Sequence, residues 1–191
     1  MTPLGHHQAM AVARRLSTTA IHALYSSDLG RTVTTAGYLG QSGGLAVVQE
    51  PGLRERHNGI FEGMTLAEAR ESHPTEYERL ARRDADYAPP GGGESLRAVS
   101  DRACRVMSEI AARHPGERVA IVSHGAVLST FLRRALGLPL DAHPHFSLRN
   151  ACLSWVTYSG MAHPEDGRWH ILTLGEVSHL DGLPTLQGIV A

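Results

Sequence analysis

Two cysteines, Cys104 and Cys152, are all that this 191-residue sequence contains. They share no paired spacing, which excludes a disulfide framework and a zinc finger. Long apolar runs are also missing. None approaches the ~18 residues that a membrane-spanning helix needs. No signal-peptide h-region is found at the start, so a reducing cytoplasm is the expected setting. Excess charge is lacking too: a formal net charge of -1 provides no basic field for nucleic acid or an anionic membrane. Any anion must be held by local charge. Gly-x-Ser-x-Gly, the signature of a serine nucleophile elbow, does not occur. Neither an internal repeat nor a linker divides the chain.

What is present is ordinary in bulk and informative in detail. Apolar residues make up 42% and charged residues 19%, values usual for a globular protein. Such a length fits one domain over residues 1–191, with 182–191 expected as a loose tail. Thr2 and Pro3 read as the N-cap and first position of a helix running to 16, with Ala9, Val12, Ala13 and Leu16 as its apolar stripe. A short buried strand is predicted over 21–25, and a helix over 29–39 capped by Ser27 or Asp28. A further strand is expected near 46–48. Thr65 with Glu68 has the capping-box pattern. After the loop Pro89-Pro90-Gly91-Gly92-Gly93, the spacing of Leu96, Val99, Ala103, Val106, Met107 and Ile110 predicts a helix over 95–113. Val119 to Val122 is a fully apolar strand, followed by a helix over 125–136 stopped by Gly137 and Pro139. Late strands are expected over 153–158 and 170–174.

Strands alternating with helices imply an α/β fold, three layers in the order α/β/α around a mostly parallel sheet. Ligands in such sheets lie beyond the carboxyl ends of the strands. Ser26-Ser27 and Ser123-His124-Gly125 fall at two of these ends, each leading into a helix N-terminus that suits a phosphate. Arg31, in the first helical turn after Ser27, carries the forked donor best matched to phosphate oxygens. Glu55 lies in a loop between Arg54 and Arg56, where a carboxyl by itself reads as a solvated charge. His6-His7 and the pair His143/His145 tempt as metal ligands. Adjacent helix residues do not share a face, and the second pair lacks a third ligand, so no metal and no cofactor are expected.

Three segments carry a resemblance. Tyr25-Ser26-Ser27-Asp28-Leu29-Gly30-Arg31, with Thr35-Ala36 beyond it, is similar to the second signature of the histidine phosphatase superfamily, which includes cofactor-dependent phosphoglycerate mutase. Leu53-Arg54-Glu55-Arg56-His57-Asn58-Gly59-Ile60-Phe61-Glu62-Gly63 resembles the segment that supplies that family's general acid, and Val122-Ser123-His124-Gly125 resembles its late His turn. Thr2-Pro3-Leu4-Gly5 with Gln8-Ala9 matches its first helix, and Gly91 to Ser95 its glycine-rich lead into a long helix. The resemblance runs from Thr2 to about Leu180. It implies a phosphoglycerate mutase-like fold and catalytic roles for Arg31, Glu55 and His124. It also implies substrate contacts at Arg56, His57, Asn58 and Gly125. Asn58 stands where the mutases carry Tyr.

One family feature has no counterpart here. The family opens on a central strand ending in Arg-His-Gly, whose His takes the phosphoryl group, and this sequence begins after that point. The first central strand is therefore expected to be missing, leaving an unfilled slot in the sheet. The resemblance then implies a phosphomonoester hydrolase, inactive in this form because the nucleophilic His is absent. Two alternatives stand beside it. Phosphoglycerate mutase-type transfer is disfavoured by the short span between Glu55 and the glycine-rich segment. A non-catalytic binder of phosphorylated ligands would use Arg31 and His124 alone. The implied partner is a small phosphorylated metabolite, not nucleic acid and not a membrane. An open slot also allows a homodimer or a strand-swapped oligomer.

Overall fold

A computed structural model of the chain describes residues 1–142, 146–160 and 168–184. The pair His143/His145 and most of the expected tail, 185–191, lie outside the described residues. Helix α1 spans Pro3–Leu16, and the Thr2 hydroxyl accepts from the Gly5 amide at its start. Strand β1 is Ala23–Ser26, helix α2 is Gly30–Gly43 and strand β2 is Val47–Gln49. Two short helices follow, α3 (Leu66–Ser72) and α4 (Pro74–Ala81). Both bonds of the expected capping box are made, between Thr65 and Glu68. Helix α5 (Leu96–Arg113) is capped by Ser95, β3 is Val119–Val122 and α6 is Gly125–Ala135. Strands β4 (Leu153–Ser159) and β5 (Arg168–Glu176) complete the described elements, apart from short 3-10 turns.

The sheet has strand order β2-β1-β3, all parallel. Side chains alternate across it, as the period of two requires. Ala23 and Tyr25 of β1, with Val119 and Ile121 of β3, face α5 and α6. That core is built from Val99, Ala103, Val106, Met107, Ile110, Val127, Phe131 and Leu132. Leu24, Ala120 and Val122 face the opposite way, onto Val12, Ala13 and Leu16 of α1 and Ala36 and Leu39 of α2. Three layers result, with the sheet in the middle.

β4 and β5 pair with one another, antiparallel, and form a separate two-stranded sheet. Their side chains join both cores: Val156, Trp169, Ile171 and Leu174 on one face, Leu153 and Trp155 on the other. β3 and β4 thus lie over the same two helical layers without sharing a hydrogen-bonded ladder. Among the described residues, each keeps one unpaired edge.

Two expectations need correction. Neither Ser27 nor Asp28 caps α2; the N-cap is Leu29, without any side-chain bond. Both polar side chains are drawn elsewhere, the Ser27 hydroxyl to His124 and the Asp28 carboxylate to Arg54. Helix α4 was not predicted: its eight residues offer only Tyr77, Leu80 and Ala81 as apolar side chains, and none is fully buried.

Candidate active site

The carboxyl end of β1 is fixed from several directions. Ser26 and Ser27 are fully buried. The Ser27 amide donates to the Val122 carbonyl of β3 at 3.0 Å, and the Ser27 carbonyl accepts from the Thr32 hydroxyl at 3.0 Å. This turn delivers the first residues of α2 beside β3. Arg31, exposed in the first turn of α2, reaches across to His124.

His124 follows β3 and is 5% exposed. Its Nδ1 accepts from Arg31 Nε at 3.2 Å, and its Nε2 lies 2.9 Å from the Ser27 hydroxyl. Because Nδ1 is an acceptor, the ring proton sits on Nε2 and donates to Ser27. Burial first, then the guanidinia of Arg31 and Arg102, push the His124 pKa down to about 4. At neutral pH this imidazole is an uncharged donor. It is also the N-cap of α6, and no side chain caps that helix from its position. The first amides of α6 therefore point toward the space beside Arg31.

Glu55 comes from a loop that Leu53, fully buried, pins beneath α5. Its Oε1 accepts from the Arg56 amide at 2.9 Å, and its Oε2 lies 3.5 Å from the Ala126 amide in the first turn of α6. Arg31, Glu55 and His124 thus meet where β1, β3 and the acid loop converge on the N-terminus of α6. Gly125 is the first residue of that helix, with open space where a side chain would stand.

The neighbours of Glu55 are engaged within the protein. Arg56 donates from Nε to the Glu94 carbonyl at 2.8 Å, and burial holds its guanidinium below its usual pKa against the opposing pull of the Glu94 carboxylate. The His57 amide donates to Glu94 Oε2, and the His57 ring accepts from the Gly59 amide. The Asn58 amide donates to Glu62, with no side-chain bond at that turn. Gly59 has φ +59°, and a Cβ there would run into the carbonyl oxygens of Pro89 and Pro90. That close approach locks the acid loop against the glycine-rich stretch.

The sequence singles out the turns that hold Ser27 and Ser123 but not the partners of their side chains. Ser27 is the hydrogen-bond partner of His124. The Ser123 hydroxyl donates to the Leu53 carbonyl at 2.9 Å, tying the end of β3 to the acid loop. Asp28 and Arg54 form a two-point ion pair at the rim, which lowers the Asp28 pKa. Glu94 and Arg102 form another. The doublet of Glu94 with Ser95 drew attention only as a helix lead; the charge of Glu94, eight residues before Arg102, was the available signal. Among the described residues, no group of three or more His, Cys, Asp or Glu side chains is placed to hold a metal ion. His6 instead bonds the Tyr38 hydroxyl at 3.0 Å.

A profile of the histidine phosphatase superfamily, branch 1, matches residues 1–175. The chain belongs to this superfamily. A probable phosphoglycerate mutase of Cronobacter sakazakii is 36% identical to this histidine phosphatase family member over 181 residues, covering 95% of this chain and 83% of the relative. A metal-independent phosphoserine phosphatase of Arabidopsis thaliana is 34% identical over 189 residues, 98% of this chain and 75% of the relative. The solved structure of YhfR from Bacillus stearothermophilus superposes with a TM-score of 0.85 at 31% identity, covering 95% and 87% of the two chains. The phosphoglycerate mutase-like fold expected from the sequence is thereby established. Family relatives include both phosphatases and mutases of small phosphorylated compounds. Among the described residues, no helix of this family member is long and apolar enough to cross a membrane.

Proposed function

We propose that the pocket of Arg31, His124 and Glu55 handles a phosphomonoester of a small metabolite, and that its chemistry is hydrolytic. The observation that supports this is the 3.2 Å bond between Arg31 and His124 beside the uncapped start of α6. A tetrahedral dianion there would meet the two Nη groups of Arg31, which carry no hydrogen bond among the described residues, and helix amides, and would take the Nε2 proton of His124 only by displacing its bond to Ser27. These donors oppose the charge that grows on the phosphoryl oxygens. Glu55, whose Oε2 lies 3.5 Å from the Ala126 amide, is placed to protonate a leaving oxygen. Arg56, His57, Asn58 and Gly125 are proposed to line the substrate side. Metal independence is part of this reading, as is a cytoplasmic setting, which suits the free thiols of Cys104 and Cys152.

A second reading has its own support. Both ring nitrogens of His124 are engaged, and among the described residues no other imidazole is bonded to Arg31. A pocket with no free nucleophile binds phosphorylated ligands better than it turns them over. The deciding experiment measures phosphate release from p-nitrophenyl phosphate, phosphoserine and 3-phosphoglycerate, in EDTA, beside calorimetric binding of inorganic phosphate. Release that falls at least tenfold in Glu55→Gln supports the hydrolase. Binding without release supports the binder. Absence of both in a folded protein refutes the pocket assignment.

A further inference from the structure

Glu55 sits in a loop with no secondary structure of its own, yet the loop is held on both sides by one ion pair. Ahead of Glu55, three consecutive carbonyls are bonded by side chains from other elements. Arg102 Nη1 donates to the Gly52 carbonyl and to the Arg54 carbonyl, each at 2.8 Å. The Leu53 carbonyl between them takes the Ser123 hydroxyl. Beyond Glu55, His57 exchanges two bonds with Glu94: its amide with the carboxylate, its carbonyl with the Glu94 amide at 2.8 Å. Arg56 donates to the Glu94 carbonyl. Arg102 closes the bracket through a two-point bond to that same Glu94 carboxylate, at 3.0 and 2.8 Å, with both side chains largely shielded from solvent.

We propose that Arg102, clamped to Glu94, is the positioning residue for Glu55: its guanidinium holds the backbone on both flanks of the acid, so that the carboxyl meets the first turn of α6 beside His124. This deepens the phosphoryl-transfer reading and rests on it for the role of Glu55. An ordinary helix-surface ion pair would contribute under ~1 kcal/mol and place nothing. This one spends every guanidinium nitrogen, in one plane, on two carbonyls and one carboxylate, a geometry that a lysine ammonium cannot reproduce. Arg102 also adds to the positive field on His124.

The test follows two amides by NMR through a pH titration. The Arg56 amide bonds Glu55 within the loop, whereas the Ala126 amide senses Glu55 only while the loop is docked on α6. In the native protein both should titrate together, and E55Q should abolish both responses. In R102K and in E94Q, which keep bulk and folding, the Arg56 response should persist. The Ala126 response should fall by at least half, and hydrogen exchange at Arg56 and His57 should quicken at least tenfold relative to β1 and β3. An undiminished Ala126 response in both variants overturns the proposal. Inorganic phosphate added to the native protein separates the two ideas: absence of any shift at His124 or Ala126 sinks the phosphoryl reading and leaves the clamp result standing.

Discussion

The Nε–H of Arg31 donates to Nδ1 of His124 across 3.2 Å, so the cation and the imidazole proposed to share one anion are already joined without it. The bond selects the ring tautomer, and the positive charge disfavours a second proton on the ring. Truncation in Arg31→Ala should therefore move the His124 pKa upward from about 4 toward 6.5. Imidazole carbon shifts followed through pH would show it, and an unmoved midpoint would mean that burial and Arg102 set the value without Arg31.

The same depression makes His124 a stability sensor. Its folded pKa of about 4 lies below the ordinary 6.5, so the unfolded chain binds the extra proton first as pH falls. Stability from this residue is complete above pH 6.5 and drains away toward pH 4, on the order of 3 kcal/mol at most. Urea unfolding at pH 7.5 and 4.5 should show this loss in the native protein and a clearly smaller one in His124→Asn. Equal losses in both would assign the acid sensitivity elsewhere.

Charge-assisted hydrogen bonds contribute about 1.5–3 kcal/mol each. Removing the guanidinium in Arg31→Ala should accordingly weaken inorganic phosphate binding roughly 10- to 100-fold by calorimetry, with little change in melting temperature. Arg70→Ala, on the α3 surface, serves as the comparison and should bind as the native protein does.

Much of this arrangement was legible in the sequence because its signals are local. Thr2 and Thr65 cap the helices that the sequence predicts, the helix expected over 95–113 starts one residue later behind Ser95 as its N-cap, and Val119 to Val122 is the apolar strand that its composition implies. Parallel strands put ligands at their carboxyl ends, which is why Ser27 and His124 could be singled out from two turns. Ser27 and Asp28 were misread as caps because a short polar side chain chooses among partners that are distant in sequence. Here those partners are 97 and 26 residues away. Arg102 was hidden for a related reason: on the polar face of α5 it looks like a solvated charge until the acid loop is laid over it.

Gly59 offers a backbone test of how the acid loop is held. It and Gly63 both have positive φ, +59° and +77°, but only at Gly59 would a Cβ strike the backbone of Pro89 and Pro90. Gly63→Ala should cost about 1 kcal/mol from its left-handed conformation alone. Gly59→Ala should cost roughly 2 kcal/mol or more and also loosen the Glu55 loop, seen as faster amide exchange over residues 55–58. Equal costs at both positions would show that the glycine-rich stretch yields easily.

β3 is wholly apolar, half-buried and, among the described residues, unpaired along one edge. Edges of this kind recruit other strands. The 191-residue protein is expected to self-associate or exchange strands with rising concentration, measured by sedimentation equilibrium from micromolar upward. A monomer with a sharp, reversible melt independent of concentration would contradict this.

Orthovanadate, a tetrahedral phosphate mimic, tests the meeting of Arg31, Glu55 and His124 most directly through a crystal structure of its complex with the protein. The vanadium oxygens should lie within hydrogen-bond distance of the Arg31 Nη atoms and the first amides of α6, with the His124 ring and the Glu55 carboxyl facing the same ion. Vanadate bound elsewhere, or those three side chains turned away from one another around an empty pocket, would contradict the account.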